Sequence, residues 1–150
     1  MGRARVLGCA GAVLGAVLLG PAGALAQTGV PGEHFILNWD LNGDGAVDAA
    51  EMEEKRAELH GIFDSSGDGY LDAAEYAEFD AARAADMGSL PEAAAGRMRA
   101  VEAGLGLAAN DPDGDGRVSR DEFVAGVPDW LAQVDRTGDG QVTTADFAGP

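Results

Sequence analysis

Four twelve-residue stretches of this chain obey one spacing rule: Asp40–Glu51 (DLNGDGAVDAAE), Asp64–Glu75 (DSSGDGYLDAAE), Asp111–Glu122 (DPDGDGRVSRDE) and Asp135–Asp146 (DRTGDGQVTTAD). Each has an oxygen-bearing side chain at positions 1, 3, 5 and 9, glycine at position 6, an aliphatic residue at position 8 and a carboxylate at position 12. Position 6 calls for a sharp turn with positive φ, which Gly45, Gly69, Gly116 and Gly140 adopt at little steric cost. Four such matches in 150 residues are no accident of Asp/Gly-rich surface turns.

The spacing is that of a loop folded around a hard cation. Calcium takes six to eight oxygen ligands at roughly 2.3–2.6 Å, and a short loop supplies them only if side chains converge from alternate positions. The candidate ligands in loop one are Asp40, Asn42, Asp44, Asp48 and Glu51, and in loop two Asp64, Ser66, Asp68, Asp72 and Glu75. Loop three offers Asp111, Asp113, Asp115, Ser119 and Glu122, and loop four Asp135, Thr137, Asp139, Thr143 and Asp146. Position 7 contributes a backbone carbonyl, so its side chain can vary: Ala46, Tyr70, Arg117 and Gln141. Position 9 often acts through a bridging water, which makes Asp48, Asp72, Ser119 and Thr143 less direct than the others.

These loops closely resemble those of the EF-hand family, and the resemblance covers most of the chain beyond residue 30. It implies an all-α fold of helix–loop–helix units with short β bridges between paired loops, and it implies calcium as the ligand, up to four ions. Loops one and three fit best, with Asn42 and Asp113 at position 3 and Glu at position 12. Ser66 makes loop two weaker. Loop four departs most: Thr137 stands at position 3, and Asp146 is one methylene shorter than Glu. Residues 135–146 are therefore expected to bind calcium most weakly or to accept magnesium.

The first 26 residues read as a cleavable export signal. Arg3 and Arg5 precede an apolar run, Val6–Leu19, and Ala24-Leu25-Ala26 offers a cleavage site before Gln27. The run is short for a membrane span. Cys9 is the single cysteine, so a chain of residues 27–150 has no disulfide and no Cys-based metal site. That segment is one domain carrying all four loops, exported and either periplasmic or secreted. The signal and the Ala/Gly-rich composition point to a bacterial source.

Fifteen of the 26 acidic residues sit at ligand positions, four in each of the first three loops and three in the fourth. Without the signal, eight basic residues face those 26, a net charge of −18. Ion binding should relieve that repulsion and stabilise the fold by linkage. A nucleic-acid partner is not expected at this charge.

Hydrophobic spacing predicts helices at Glu33–Trp39, Ala49–Phe63, Ala73–Met87 and roughly Pro91–Ala103, then Glu122–Ala125 and Pro128–Val134. Met52, Leu59 and Phe63 share a side, and Glu53, Glu54, Lys55 and Arg56 read as the solvated face. Ser89 is a candidate cap ahead of Pro91, and Gly104 and Gly106 loosen the end of the next helix.

Loop spacing also constrains pairing. Loops one and two start 24 residues apart, as do loops three and four, with only twelve residues between loop ends. A straight helix of that length spans about 18 Å, whereas paired loops touch at about 4.8 Å through position 8. The expectation is a crossed arrangement, Leu71 with Val118 and Val47 with Val142. A kink at Pro128 would instead favour pairing of loops three and four.

No nucleophile elbow, phosphate-cradling glycine loop or paired-histidine metal motif is present, and His34 and His60 stand alone, so an enzyme is not expected. The reading is a calcium buffer or calcium-stabilised binding protein. The alternatives are a calcium sensor that takes a protein partner on loading, with Met52, Met87 and Met98 too few for a Met-rich groove, and a dockerin-like adhesion module.

Overall fold

The computed structural model describes residues 30–148, so the export signal read at residues 1–26 lies outside the described residues. The order is α1 (Glu33–Trp39), α2 (Ala49–Phe63), β1 (Tyr70–Leu71), α3 (Ala73–Gly88), α4 (Glu92–Arg97), α5 (Arg99–Leu105), α6 (Leu107–Asn110), β2 (Val118–Ser119), α7 (Arg120–Ala125), α8 (Val127–Val134) and α9 (Thr144–Phe147). The fold is all-α with short β bridges, as the resemblance implies.

The loops themselves start the helices that follow them. Position 9 is the N-cap of the outgoing helix in all four, and position 12 is its third residue. Asp48 with Glu51, Asp72 with Glu75, Ser119 with Glu122 and Thr143 with Asp146 each form a reciprocal capping box. The position-9 oxygen accepts from the backbone N–H three residues on or its neighbour, and the position-12 carboxylate reaches back to the cap's own N–H. Two otherwise orphaned donors are satisfied at each helix start.

Pairing is crossed. β1 and β2 run antiparallel with Leu71 opposite Val118 and Tyr70 opposite Ser119. Val47 and Val142 exchange two backbone hydrogen bonds, both 2.8 Å. Loop two therefore lies beside loop three, and loop one beside loop four. All four position-8 side chains are buried. The chain does turn between α7 and α8, at Gly126, but the turn redirects α8 toward loop four without bringing loops three and four together.

Beneath the loops lie two linked aromatic groups. Phe35, Trp39, Trp130 and Phe147 meet at ring separations of 4.7–6.0 Å. Phe63, Tyr76, Phe79 and Phe123 form the other at 5.0–5.7 Å. Edge and tilted geometries dominate, as aromatic quadrupoles prefer.

Four expectations are corrected here. Arg56 is not on a solvated face: it is fully buried, its guanidinium between the rings of Phe123 and Trp130 at 5.0 and 4.4 Å. The helix after Pro91 is not continuous. It breaks at Met98, whose φ and ψ of −82° and 0° leave the helical region while its side chain turns into the core. Ser89 caps nothing downstream; its hydroxyl donates to the Asp86 carbonyl (2.6 Å) and closes α3 instead. Gly104 does not loosen a helix end. A Cβ there would stand 1.8 Å from the Trp130 ring, and glycine is what lets α5 and α8 touch.

Candidate metal centres

Each loop is wound on its position-1 aspartate. Asp40 Oδ1 accepts from Gly43 N (2.6 Å) and Oδ2 from Gly45 N (2.8 Å). The same pair of bonds recurs at Asp64, Asp111 and Asp135. Position 5 then accepts from the N–H of position 7 in every loop, at 2.8–3.0 Å. These bonds turn the position-1 and position-5 carboxylates inward, leaving the outer loop in water.

The glycines at position 6 have φ of 83–88°, as expected, and so do those at position 4 (Gly43, Gly67, Gly114 and Gly138) at 72–77°. A Cβ at any of the eight would meet nothing within 4 Å. The requirement for glycine is therefore conformational, not spatial. The invariant second glycine was visible in the sequence, in the repeated G-D-G, but its role was missed.

Position 3 divides the loops. Asn42 Oδ1 and Asp113 Oδ1 accept from the N–H two residues on, at 2.8 and 3.1 Å. The hydroxyls of Ser66 and Thr137 instead donate to the position-1 carboxylate, at 3.3 and 3.2 Å. Loop three alone has carboxylates at positions 1, 3 and 5. Oxygens of Asp111, Asp113 and Asp115 all lie within 4.8 Å of one another.

Position 12 lies across the loop. Glu51 Oε1 accepts from Leu41 N and Asn42 N, both 3.0 Å, and Oε2 from Asp48 N at 3.1 Å. Glu75 does the same with Ser66 N and Asp72 N. Asp146, although shorter, spans its loop in the same way: Oδ1 accepts from Arg136 N and Thr137 N (both 2.9 Å), Oδ2 from Thr143 N (2.7 Å). Loop three differs: position 2 is Pro112, which has no N–H to give. Glu122 accepts from Ser119 N and Oγ instead, both 2.8 Å.

The electrostatics follow from those bonds. Backbone donation, first from Gly45, holds Asp40 below the usual carboxylate value, and donation from Asp72 and Ser66 does the same for Glu75. At Asp135 and Asp146 partial burial pushes the carboxyl up, but the N–H groups of Gly140 and Gly138, and of Thr143 and Thr137, outweigh it and leave both lowered. The donors are carboxylate, amide, hydroxyl and carbonyl oxygens, with no nitrogen or sulfur at any ligand position. Such a set suits a hard divalent cation, calcium or magnesium, over a transition metal.

Two basic residues matter in ways the loop spacing does not show. Arg117, at a position expected to be neutral to side-chain choice, places Nη2 3.7 Å from Asp115 Oδ2 and its guanidinium 4.5 Å from the Tyr70 ring of the paired loop. Arg56 bonds to the residues on either side of loop three. His60 is buried, its Nε2 donating to the Val118 carbonyl (3.0 Å); His34 lies 2.7 Å from Asp86. Neither histidine is in a loop.

The EF hand family model matches residues 40–54 and 111–127 of this chain. Those segments hold loops one and three, the two with Asn or Asp at position 3 and Glu at position 12. The match supports an EF-hand family and, with the aspartate cluster of loop three, calcium binding. No curated protein matches the chain.

Proposed function

We propose that this chain is an exported calcium-binding protein, periplasmic or secreted, that acts as a calcium buffer or a calcium-stabilised binding protein with up to four ions. The observation that carries the reading is the convergence of Asp111, Asp113 and Asp115 within 4.8 Å in a loop that ends on Glu122. The ligands are the residues at positions 1, 3, 5 and 12 of each loop together with the carbonyls of Ala46, Tyr70, Arg117 and Gln141. Ser119 and Thr143 have one side-chain oxygen each, already engaged in capping, so position 9 acts through water in loops three and four. Loop four is the weakest, because threonine at positions 3 and 9 leaves it three carboxylates where each other loop has four.

The role of calcium here is largely conformational. Fifteen carboxylates repel one another in the folded chain, and an ion that binds the folded state alone stabilises it by mass action. The test is calorimetric titration of the chain with calcium in millimolar magnesium, with Trp39 and Trp130 fluorescence followed in parallel. Two or more sites in the range of about 10⁻⁷–10⁻⁵ M favour a buffer or sensor, and sites near 10⁻⁴–10⁻³ M a structural role outside the cell. Absence of binding overturns the reading. Export is tested by N-terminal sequencing of protein recovered from the source cells: a start at Gln27 supports it, and a retained residue 1 sinks it.

One observation favours a second reading, a calcium sensor. A cavity of about 220 Å³ opens among α1, α2, α3 and α5, floored by Phe35, Trp39, Leu59, Phe63, Phe79 and Met98. Calcium-dependent binding of an amphipathic helical peptide would distinguish the sensor from the buffer.

A further inference from the structure

The residues that flank loops two and three converge on a single buried guanidinium. Arg56 Nη1 donates to Asn110 Oδ1 (2.8 Å) and to the Phe123 carbonyl (2.6 Å). Asn110 immediately precedes Asp111, the first ligand position of loop three, and Phe123 immediately follows Glu122, the last. One nitrogen thus holds both ends of that loop. Nη2 donates to the Gly104 carbonyl (2.7 Å) and fixes the plane of the group. The network continues to loop two: Asn110 Nδ2 donates to Tyr76 Oη (3.2 Å), and Tyr76, the residue after Glu75, donates to the Leu105 carbonyl (2.6 Å).

This is an unusual way to fill a core. The side chain is fully buried, its hydrogen bonds go to neutral oxygens, and Nε has no partner. A buried charge is costly, and an apolar side chain of similar volume commonly serves stability as well or better. Burial pulls the guanidinium down to about 10, so it stays charged at neutral pH but at a cost. What an apolar residue cannot do is fix the separation of two chain segments through a rigid fork. Gly126 leaves room for it, since a Cβ there would stand 2.9 Å from Nη1.

Resting on the calcium reading, we propose that Arg56 is a positioning residue for loop three and, through Asn110 and Tyr76, couples the filling of loop three to that of loop two. With both ends held before the ion arrives, the ordering cost of closing the loop is removed from calcium binding. Loss of an outer partner of a metal site typically lowers affinity about 10–100-fold.

The test uses the full chain titrated with calcium chloride, observed by NMR at the amides of Gly45, Gly69, Gly116 and Gly140. Each donates to the position-1 aspartate of its own loop, at 2.8–3.0 Å, so each reports one site. In Arg56→Met the Gly116 midpoint should rise about 10–100-fold. The Gly69 midpoint should rise less and separate from it, while Gly45 and Gly140 stay within about twofold. In EDTA the same variant should speed amide exchange in loop three above that in loop one. If Arg56→Met does not fold, Asn110→Ala and Tyr76→Phe cut the network one side chain at a time: the first should raise the Gly116 midpoint selectively, and the second should split Gly69 from Gly116. A uniform change at all four glycines, or none, in whichever variants fold overturns the proposal. A wild-type chain whose glycines ignore calcium overturns the calcium reading instead.

Discussion

Loops one and four rest on aromatic rings alone, whereas loops two and three add a polar network to theirs. Trp39, one residue before loop one, stacks on Phe35, and Phe147, one residue after loop four, packs beside them. At the equivalent places around loops two and three stand Tyr76, Asn110 and Phe123, whose hydroxyl, amide and carbonyl are tied together around Arg56. The first pair is joined by one bridge, the second by two-residue strands with His60 bonded behind Val118. The motif that repeats four times is thus supported in two ways. Apolar packing holds a loop with little angular preference; a fork of hydrogen bonds fixes its ends.

The comparison is broken most severely by Phe35→Ala. It removes the ring that touches Trp39, Trp130 and Phe147, and the cost is about 3–5 kcal/mol by denaturant unfolding. Calcium should recover much of that loss if loop one keeps its ligands. Next, Glu51→Gln and Glu122→Gln each neutralise one position-12 carboxylate. Affinity of the altered loop should fall by about a hundredfold or more, with Glu51→Gln carried to loop four and Glu122→Gln to loop two. Unchanged stoichiometry and affinity in either would contradict the ligand assignment.

A smaller effect separates the polar base from the aromatic one by pH. Burial pushes the Tyr76 hydroxyl up to about 12 from 10.0, so its contribution is complete below pH 10 and is lost as pH rises toward 12. Arg56, pulled down to about 10 from 12.5, acts oppositely, since above pH 10 the unfolded chain holds the extra proton. Thermal melts of Tyr76→Phe should therefore gain stability relative to wild type as pH rises through this interval; parallel curves would refute the assignment. The smallest change is Arg117→Ala. Its guanidinium stands half-exposed beside Asp115 and competes with the ion, so its removal should raise loop-three affinity severalfold at most, and a fall would show that it helps to hold the loop.

Much of this was legible in the chain. Asp, Gly and Glu at fixed offsets dictate the loops because a cation's coordination sphere leaves few other solutions. The crossed pairing was legible too, because a twelve-residue helix is too long to let neighbouring loops touch. Arg56 was not. It follows Glu53, Glu54 and Lys55, and a run of charges on a helix is ordinarily its wet side. Only Gly104, Asn110 and Phe123, brought from the other half of the chain, make its burial tolerable. Gly104 misled for the same reason: its meaning lies in Trp130, not in its neighbours.

The crossed pairing nests one contact inside another. Leu71 and Val118 are separated by about half the chain length that separates Val47 and Val142, so the inner contact closes at the lower entropic cost. Once it forms, α2 on one side and α7 with α8 on the other bring the outer strands within reach. Outside both contacts Gly32 meets Phe147, at the two margins of the described residues. Neither half can complete a bridge alone, because Val47 and Leu71 come from one half and Val118 and Val142 from the other.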